Sequence, residues 1–262
     1  MQLSSAQVAE FREKGYLLVD QFLPRATVER YRAAYMETVD RLRSEGSLRN
    51  GAAADDSDAH EKVFQLRTAH LLHEAFDEHI RSEAFLDVVQ SLIGANIQLV
   101  HYQGLFKPPY TGGAVNWHQD DFYWPSRDST EGSVSLWVPL DDATVENGCM
   151  WYVPGSHRTI LEHEQLWDPK QRKGFYYGIA SLPAELERRA VPAEVRAGGI
   201  AIHAGALVHC SRPNHSPMPR RALASHFINP RVREPGGVFA GVAAEAIPIL
   251  RSTPPSSAAA RA

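Results

Sequence analysis

The 262-residue chain contains one His-x-Asp, His118 and Asp120 in the segment Asn116-Trp117-His118-Gln119-Asp120. Residues two apart in an extended strand project from the same face, so this imidazole and carboxylate are placed to grip one ion from one side. Among twelve histidines such a pair arises by chance, and a third ligand is needed before it carries meaning. His209 is the best candidate, 89 positions after Asp120 and just beyond the segment 198–205, which reads as a strand, a tight turn and the start of a second strand. Two neutral imidazoles and one carboxylate on one face of an octahedron leave three positions open, the arrangement that suits non-haem iron(II) and oxygen. A carboxylate buried between two histidines also requires a partner, and a metal ion is that partner. Eleven positions after His209 comes Arg220, at the head of an apolar stretch. Its guanidinium can hold a carboxylate bidentately, as a dicarboxylate that chelates iron through a keto-acid end would require. Arg221 is adjacent, so a solvated arginine pair, or Arg221 as the anchor, is the competing reading.

The elements that must carry these residues change in kind along the chain. Ser4 and Gln7 have capping-box spacing and Gly15 is a good terminator, which predicts a short helix before the strand-like run 16–19. After Pro24, the residues Val28, Tyr31, Tyr35, Val39 and Leu42 recur at helical intervals up to Gly46. Ser82 caps a further helix that Gly94 closes. The segment 47–60 is small, polar and aperiodic, a lid or a plain surface loop. From residue 97 the pattern turns extended, with strands expected at 97–107, 133–140, 150–153, 191–196, 200–203, 207–210 and 222–228. The segments 162–173 and 183–189 read as insertions, the latter a short helix. Helices followed by strands argue against alternating β-α-β units and for a mainly β fold with flanking helices, a jelly roll. We expect one domain over 1–233, with helices in 5–95 and the jelly-roll core in 96–230, and a flexible tail over 250–262.

Composition narrows the partners. With 44% hydrophobic and 22% charged residues the chain is ordinary for a globular protein. A net charge of −4 gives no attraction to nucleic acid or anionic lipid, and no apolar run approaches the length that spans a bilayer. Two cysteines and an N-terminus without a basic start and apolar core imply reduced thiols and a cytoplasmic protein.

His118-Gln119-Asp120, then Asn147-Gly148-Cys149-Met150 running into Val153-Pro154-Gly155-Ser156-His157, then His209 through Asn214 to Arg220, resembles the phytanoyl-CoA dioxygenase family. The opening 11–23, FREKGYLLVDQFL, is similar to the same family's N-terminal signature. The resemblance implies a double-stranded β-helix, a cupin-like barrel, with Fe(2+) held by His118, Asp120 and His209. It implies 2-oxoglutarate and O2 as co-substrates, and decarboxylation to succinate and CO2 coupled to oxidation of a small-molecule substrate. For 2-oxoglutarate, the family's pattern carries onto Gln103, Trp137, Ser211 and Arg220, and onto Lys62 with a less secure alignment. Related halogenases replace the carboxylate ligand with a small residue; this chain keeps Asp120, which favours hydroxylation of a metabolite. Asp121 would point away from the ligand face of a strand.

Desaturation, cyclisation or epimerisation at the same centre remain open alternatives, as does a non-catalytic cupin-like binding protein. A zinc hydrolase is disfavoured because no general base or oxyanion device accompanies the triad. Ordinary core packing competes for Trp137 and Gln103. His203 and His226, in apolar strands, read as hydrogen-bonded structural histidines, and His157 as a turn stabiliser. Phe122, Tyr123, Trp124 and Trp151 form an aromatic group near the metal segment and suggest a partly apolar substrate pocket.

Overall fold

The computed structural model describes residues 2–50, 62–123, 131–166, 177–233 and 246–253. Helix α1 (Ser5–Lys14) starts on the reciprocal Ser4–Gln7 capping box and ends at Gly15, whose φ of 83° a side chain would resist. Strand β1 (Tyr16–Val19) and the long helix α2 (Arg25–Ser44) follow. After them come β2 (Arg49–Asn50), β3 (Phe64–Arg67), α3 (Glu74–Arg81) and α4 (Glu83–Ile93). The remaining strands are β4 (Ile97–Lys107), β5 (Val115–His118), β6 (Ser133–Pro139) and β7 (Met150–Tyr152). The short helix α5 (Ala184–Glu187) precedes β8 (Val191–Ala193), β9 (Ile200–Ala204), β10 (His209–Ser211), β11 (Arg220–Ile228) and β12 (Ile249–Arg251).

The strands form two antiparallel sheets, the faces of a jelly roll. The larger runs β1-β9-β6-β11-β4-β3-β2, with β12 added beside β4, and the smaller runs β5-β10-β7-β8. Side-chain alternation sorts the larger sheet into an outer face under the helices and an inner face toward the smaller sheet. On the outside, Tyr102, Leu136, Ile202 and Phe227 bury against Tyr35, Phe76, Phe85 and Val89 of the helices. Gly104 permits this contact, because a Cβ there would stand 2.6 Å from the Tyr35 ring. On the inside, Trp137, Ala201, Ala222 and Ala224 meet Met150, Tyr152 and Ala193 of the smaller sheet.

The inner face is ordered in rows across the strands. One row sets Tyr16, His203, Ser135, His226 and His101 side by side. The next holds Ala201, Trp137, Ala224, Gln103 and Arg67. The β4–β11 pairing ends with Arg220 opposite Lys107.

Three expectations need correction. Ser82 stands at the N-cap of α4, but its hydroxyl donates to the His79 carbonyl of α3, a helix the sequence reading omits. Trp151 projects with Cys210, on the side of the smaller sheet opposite His209, and lies 3.8 Å beneath the Arg212 guanidinium. The chain does not fray from residue 250: β12 pairs with β4, and Arg251 is held by Glu83, Asp87 and Gln90. Residues 51–60 of the expected lid, Trp124, 167–173 of the first insertion and the tail from 254 lie outside the described residues. Cys149 and Cys210 are buried and unbridged. No helix among the described residues is long and apolar enough to cross a membrane.

Candidate active site

The structure brings His118, Asp120 and His209 together, with one ligand atom from each lying within 4.8 Å of the others. His118 ends β5 and His209 opens β10, and the two are direct cross-strand partners. Asp120 is not on the strand, as the His-x-Asp spacing suggested; it opens a 3₁₀ turn, Asp120–Tyr123. The cause is Gln119. Its amide donates to the Thr159 and Ala206 carbonyls, its Oε1 accepts from Leu161 N–H, and its own N–H donates to His163. These bonds pull the chain out of β5 and turn the next carboxylate toward the two imidazoles. Asp121 points elsewhere, to Arg233 at 2.7 Å and Ser133 at 2.9 Å.

Each imidazole is oriented through its other nitrogen. His118 Nδ1–H donates to the Asn116 carbonyl at 2.8 Å and His209 Nδ1–H to the Leu207 carbonyl at 2.9 Å, which leaves both Nε2 lone pairs turned inward. Both Nε2 atoms stand 3.7 Å from Asp120 Oδ1. Burial lowers both imidazoles to about 4, so they are neutral and ready to coordinate at neutral pH. Burial pushes the Asp120 carboxyl up, but the surrounding histidines outweigh it and hold it well below its usual range. This set of nitrogen and oxygen donors fits iron(II), and among the described residues no thiolate joins it to favour a softer ion.

Arg220 is 1% exposed, and its guanidinium makes no ion pair or side-chain hydrogen bond among the described residues. Burial lowers it to about 10, so it remains a cation at neutral pH. A buried cation without an anion is costly and calls for one from outside. Arg221 is already spent, bound by both oxygens of Asp141 at 2.7 Å. Strand alternation separates the two arginines, with Arg220 facing inward and Arg221 outward.

Trp137 lies on the same inner face, its ring 5.4 Å from the Arg220 guanidinium, and its buried Nε1 has no partner among the described residues. Gln103 is its neighbour across Ala224. Ala201, Ala222 and Ala224 keep the floor between them low. Ser211 projects on the same side of β10 as His209. Lys62 is half-buried, its backbone bridged to Gly112, which in turn bridges Asn214 in the connection from β10 to β11. Phe122 stacks on His163 with centroids 4.1 Å apart and meets Tyr123 and Tyr177, so among the described residues the aromatic group around the turn is Phe122, Tyr123 and Tyr177.

Three residues that touch Asp120 escaped sequence reasoning. Ser135 Oγ lies 2.6 Å, His203 Nε2 3.1 Å and His226 Nδ1 3.1 Å from Asp120 Oδ2. His203 is hydrogen-bonded as expected, but to the carboxylate itself, whereas the hydrogen bond of His226 Nδ1 goes to Ser135 Oγ beside that carboxylate. Lys107 is also buried at the Arg220 end and donates to the Arg212 carbonyl.

A His-x-Asp…His triad inside a jelly roll defines the class of facial-triad, non-haem metal oxygenases. The family model described as phytanoyl-CoA dioxygenase (PhyH) matches residues 11–222, and the chain belongs to that family. Phytanoyl-CoA dioxygenase domain-containing protein 1 of Mus musculus is 32% identical over 166 residues, 62% of this chain. That match spans only 56% of the mouse protein's length. A probable alpha-ketoglutarate-dependent hypophosphite dioxygenase of Stutzerimonas stutzeri is 28% identical over 234 residues, 83% of this chain and 76% of that protein. The crystal structure of EvdO2 from Micromonospora carbonacea var. aurantiaca, complexed with 2-oxoglutarate, superimposes with a TM-score of 0.65. It is 25% identical, covering 87% of this chain and 92% of that one.

Proposed function

We propose that this protein is an iron(II)- and 2-oxoglutarate-dependent dioxygenase, one domain over 1–233 and cytoplasmic, that hydroxylates a small, partly apolar metabolite. The observation that carries the reading is the fully buried Arg220, without an anionic partner among the described residues, on the inner face of the barrel that also holds the triad. Bound iron(II) supplies the oxygen chemistry, in which 2-oxoglutarate and O2 give succinate and CO2, one oxygen atom entering succinate and the other the substrate.

The protein's own residues bind and orient. His118 Nε2, His209 Nε2 and Asp120 Oδ1 would hold the metal, and Arg220 would take the distal carboxylate of 2-oxoglutarate bidentately. Trp137, Gln103, Ser211 and Lys62 would complete that pocket, with the low alanine floor leaving room for the co-substrate. The names of the S. stutzeri relative and of the EvdO2 complex support this co-substrate. Phe122, Tyr123 and Tyr177 offer an apolar wall for the prime substrate. Retention of Asp120 supports hydroxylation over halogenation.

The test is a screen of small metabolites with iron(II), 2-oxoglutarate and O2, reading succinate and then product mass. Substrate-stimulated succinate with a product heavier by one oxygen is expected; iron-loaded, folded protein that never forms succinate would refute the proposal.

A further inference from the structure

We propose that His203, His226 and Ser135 are positioning residues that lock the second oxygen of Asp120, so that this carboxylate grips its metal through Oδ1 alone. The inference deepens the metal-site reading and rests on it. The two oxygens of Asp120 have divided surroundings. Oδ1 stands 3.7 Å from both His118 Nε2 and His209 Nε2. Oδ2 is turned away and has Ser135 Oγ, His203 Nε2 and His226 Nδ1 within 3.1 Å.

The donors are organised as two chains. Tyr152 O–H donates to His203 Nδ1 at 3.2 Å, which fixes the tautomer and leaves His203 Nε2–H to donate to Asp120 Oδ2 at 3.1 Å. On the other side, His226 Nδ1–H donates to Ser135 Oγ at 2.8 Å, and the Ser135 O–H donates to Oδ2 at 2.6 Å. Sheet register makes this arrangement rigid, since His203, Ser135 and His226 are direct neighbours in one row across β9, β6 and β11. They are 3%, 2% and 8% exposed, so water is a poor substitute for any of them. An ionised carboxylate oxygen has about two lone-pair sites, which the Ser135 O–H and His203 Nε2–H fill, while His226 holds the serine in place. For Asp120 to chelate through both oxygens, Oδ2 would have to abandon buried hydrogen bonds that nothing replaces. Single-point attachment leaves one more coordination position open than bidentate attachment does.

The experiment is cobalt(II) binding to metal-free protein, followed by visible absorption and calorimetry, with no turnover required. His203→Leu and His226→Leu should each weaken cobalt(II) by about 10–100-fold, the usual cost of losing a partner behind a metal ligand. Their spectra should change as the released Oδ2 joins the metal. Conservative variants separate positioning from packing. The Gln amide of His203→Gln places an N–H near the position of Nε2, whereas His203→Asn is too short to reach. Gln retaining the affinity and Asn losing it supports the proposal, even where the Leu variants fail to fold. Affinities of His203→Gln and His203→Asn that match each other, or folded Leu variants with wild-type affinity and spectrum, overturn it. Wild-type protein that binds no cobalt(II) overturns the metal site itself, and the positioning with it.

Discussion

Replacing Arg220 by Met should separate ligand binding from folding in a way few active-site substitutions do. The guanidinium is 1% exposed and has no ion-pair partner among the described residues, so in the ligand-free fold no paired anion offsets its desolvation. Removing it should leave the ligand-free protein as stable as wild type or more so, as observed when buried charges give way to apolar groups of similar volume. Binding responds oppositely. Truncating one partner of a buried, hydrogen-bonded charge pair costs about 2 kcal/mol or more, so the 2-oxoglutarate Kd should rise at least about 30-fold. At 2-oxoglutarate one hundred times the wild-type Kd, the ligand stabilises wild type by about 2.7 kcal/mol and the variant by about 0.9 kcal/mol. For a chain of this size that corresponds to a rise in Tm of about 5–10 °C against about 2–4 °C. Thermal melts of metal-loaded protein with and without 2-oxoglutarate read both effects. A variant that melts well below wild type without ligand, yet keeps the full ligand-induced rise, would refute the assignment of Arg220 as a carboxylate anchor.

Other substitutions test the supports. His118→Ala and Asp120→Ala should each abolish stoichiometric metal binding in calorimetry while the fold survives by circular dichroism. Gln119→Leu removes the bonds that draw Asp120 out of β5 and should cost about 2–4 kcal/mol in urea unfolding, with metal affinity falling as well. His79 is buried among Tyr31, Phe85 and Tyr102, both its ring nitrogens lack partners among the described residues, and burial lowers it from 6.5 to about 3. Below pH 6.5 the unfolded chain takes up a proton that the folded chain refuses, so this group's contribution to stability falls with pH down to about 3. Between those limits wild type should lose stability more steeply than His79→Leu by about 1.4 kcal/mol per pH unit, measured by urea midpoints. Equal slopes would contradict the buried neutral imidazole.

The triad was legible because facial-triad chemistry admits few residue types, and one His-x-Asp with a later strand histidine, His209, satisfies it. Spacing to His209 favoured Arg220 over Arg221 as the proposed anchor; what it could not show is that Arg220 faces inward while Asp141 holds Arg221. His203 and His226 looked like ordinary core histidines because their role depends on register across three strands. A linear pattern does not contain that information. The placement of Asp120 on a turn depends on where Gln119 finds carbonyls in 159 and 206, again a tertiary fact. Helix α3 escaped because its N-cap is His73, whose Nδ1 accepts from Ala75 N–H in place of the usual hydroxyl or carboxylate. Strands β3 and β5, four residues each, are too short to show a period.

The most direct test of the central claim is turnover under oxygen-18 gas with iron(II) and 2-oxoglutarate, followed by mass measurement of succinate. Succinate carrying one labelled atom per CO2 released, and none formed by Asp120→Ala, is the expected result. Unlabelled succinate, or equal formation by Asp120→Ala, would contradict it.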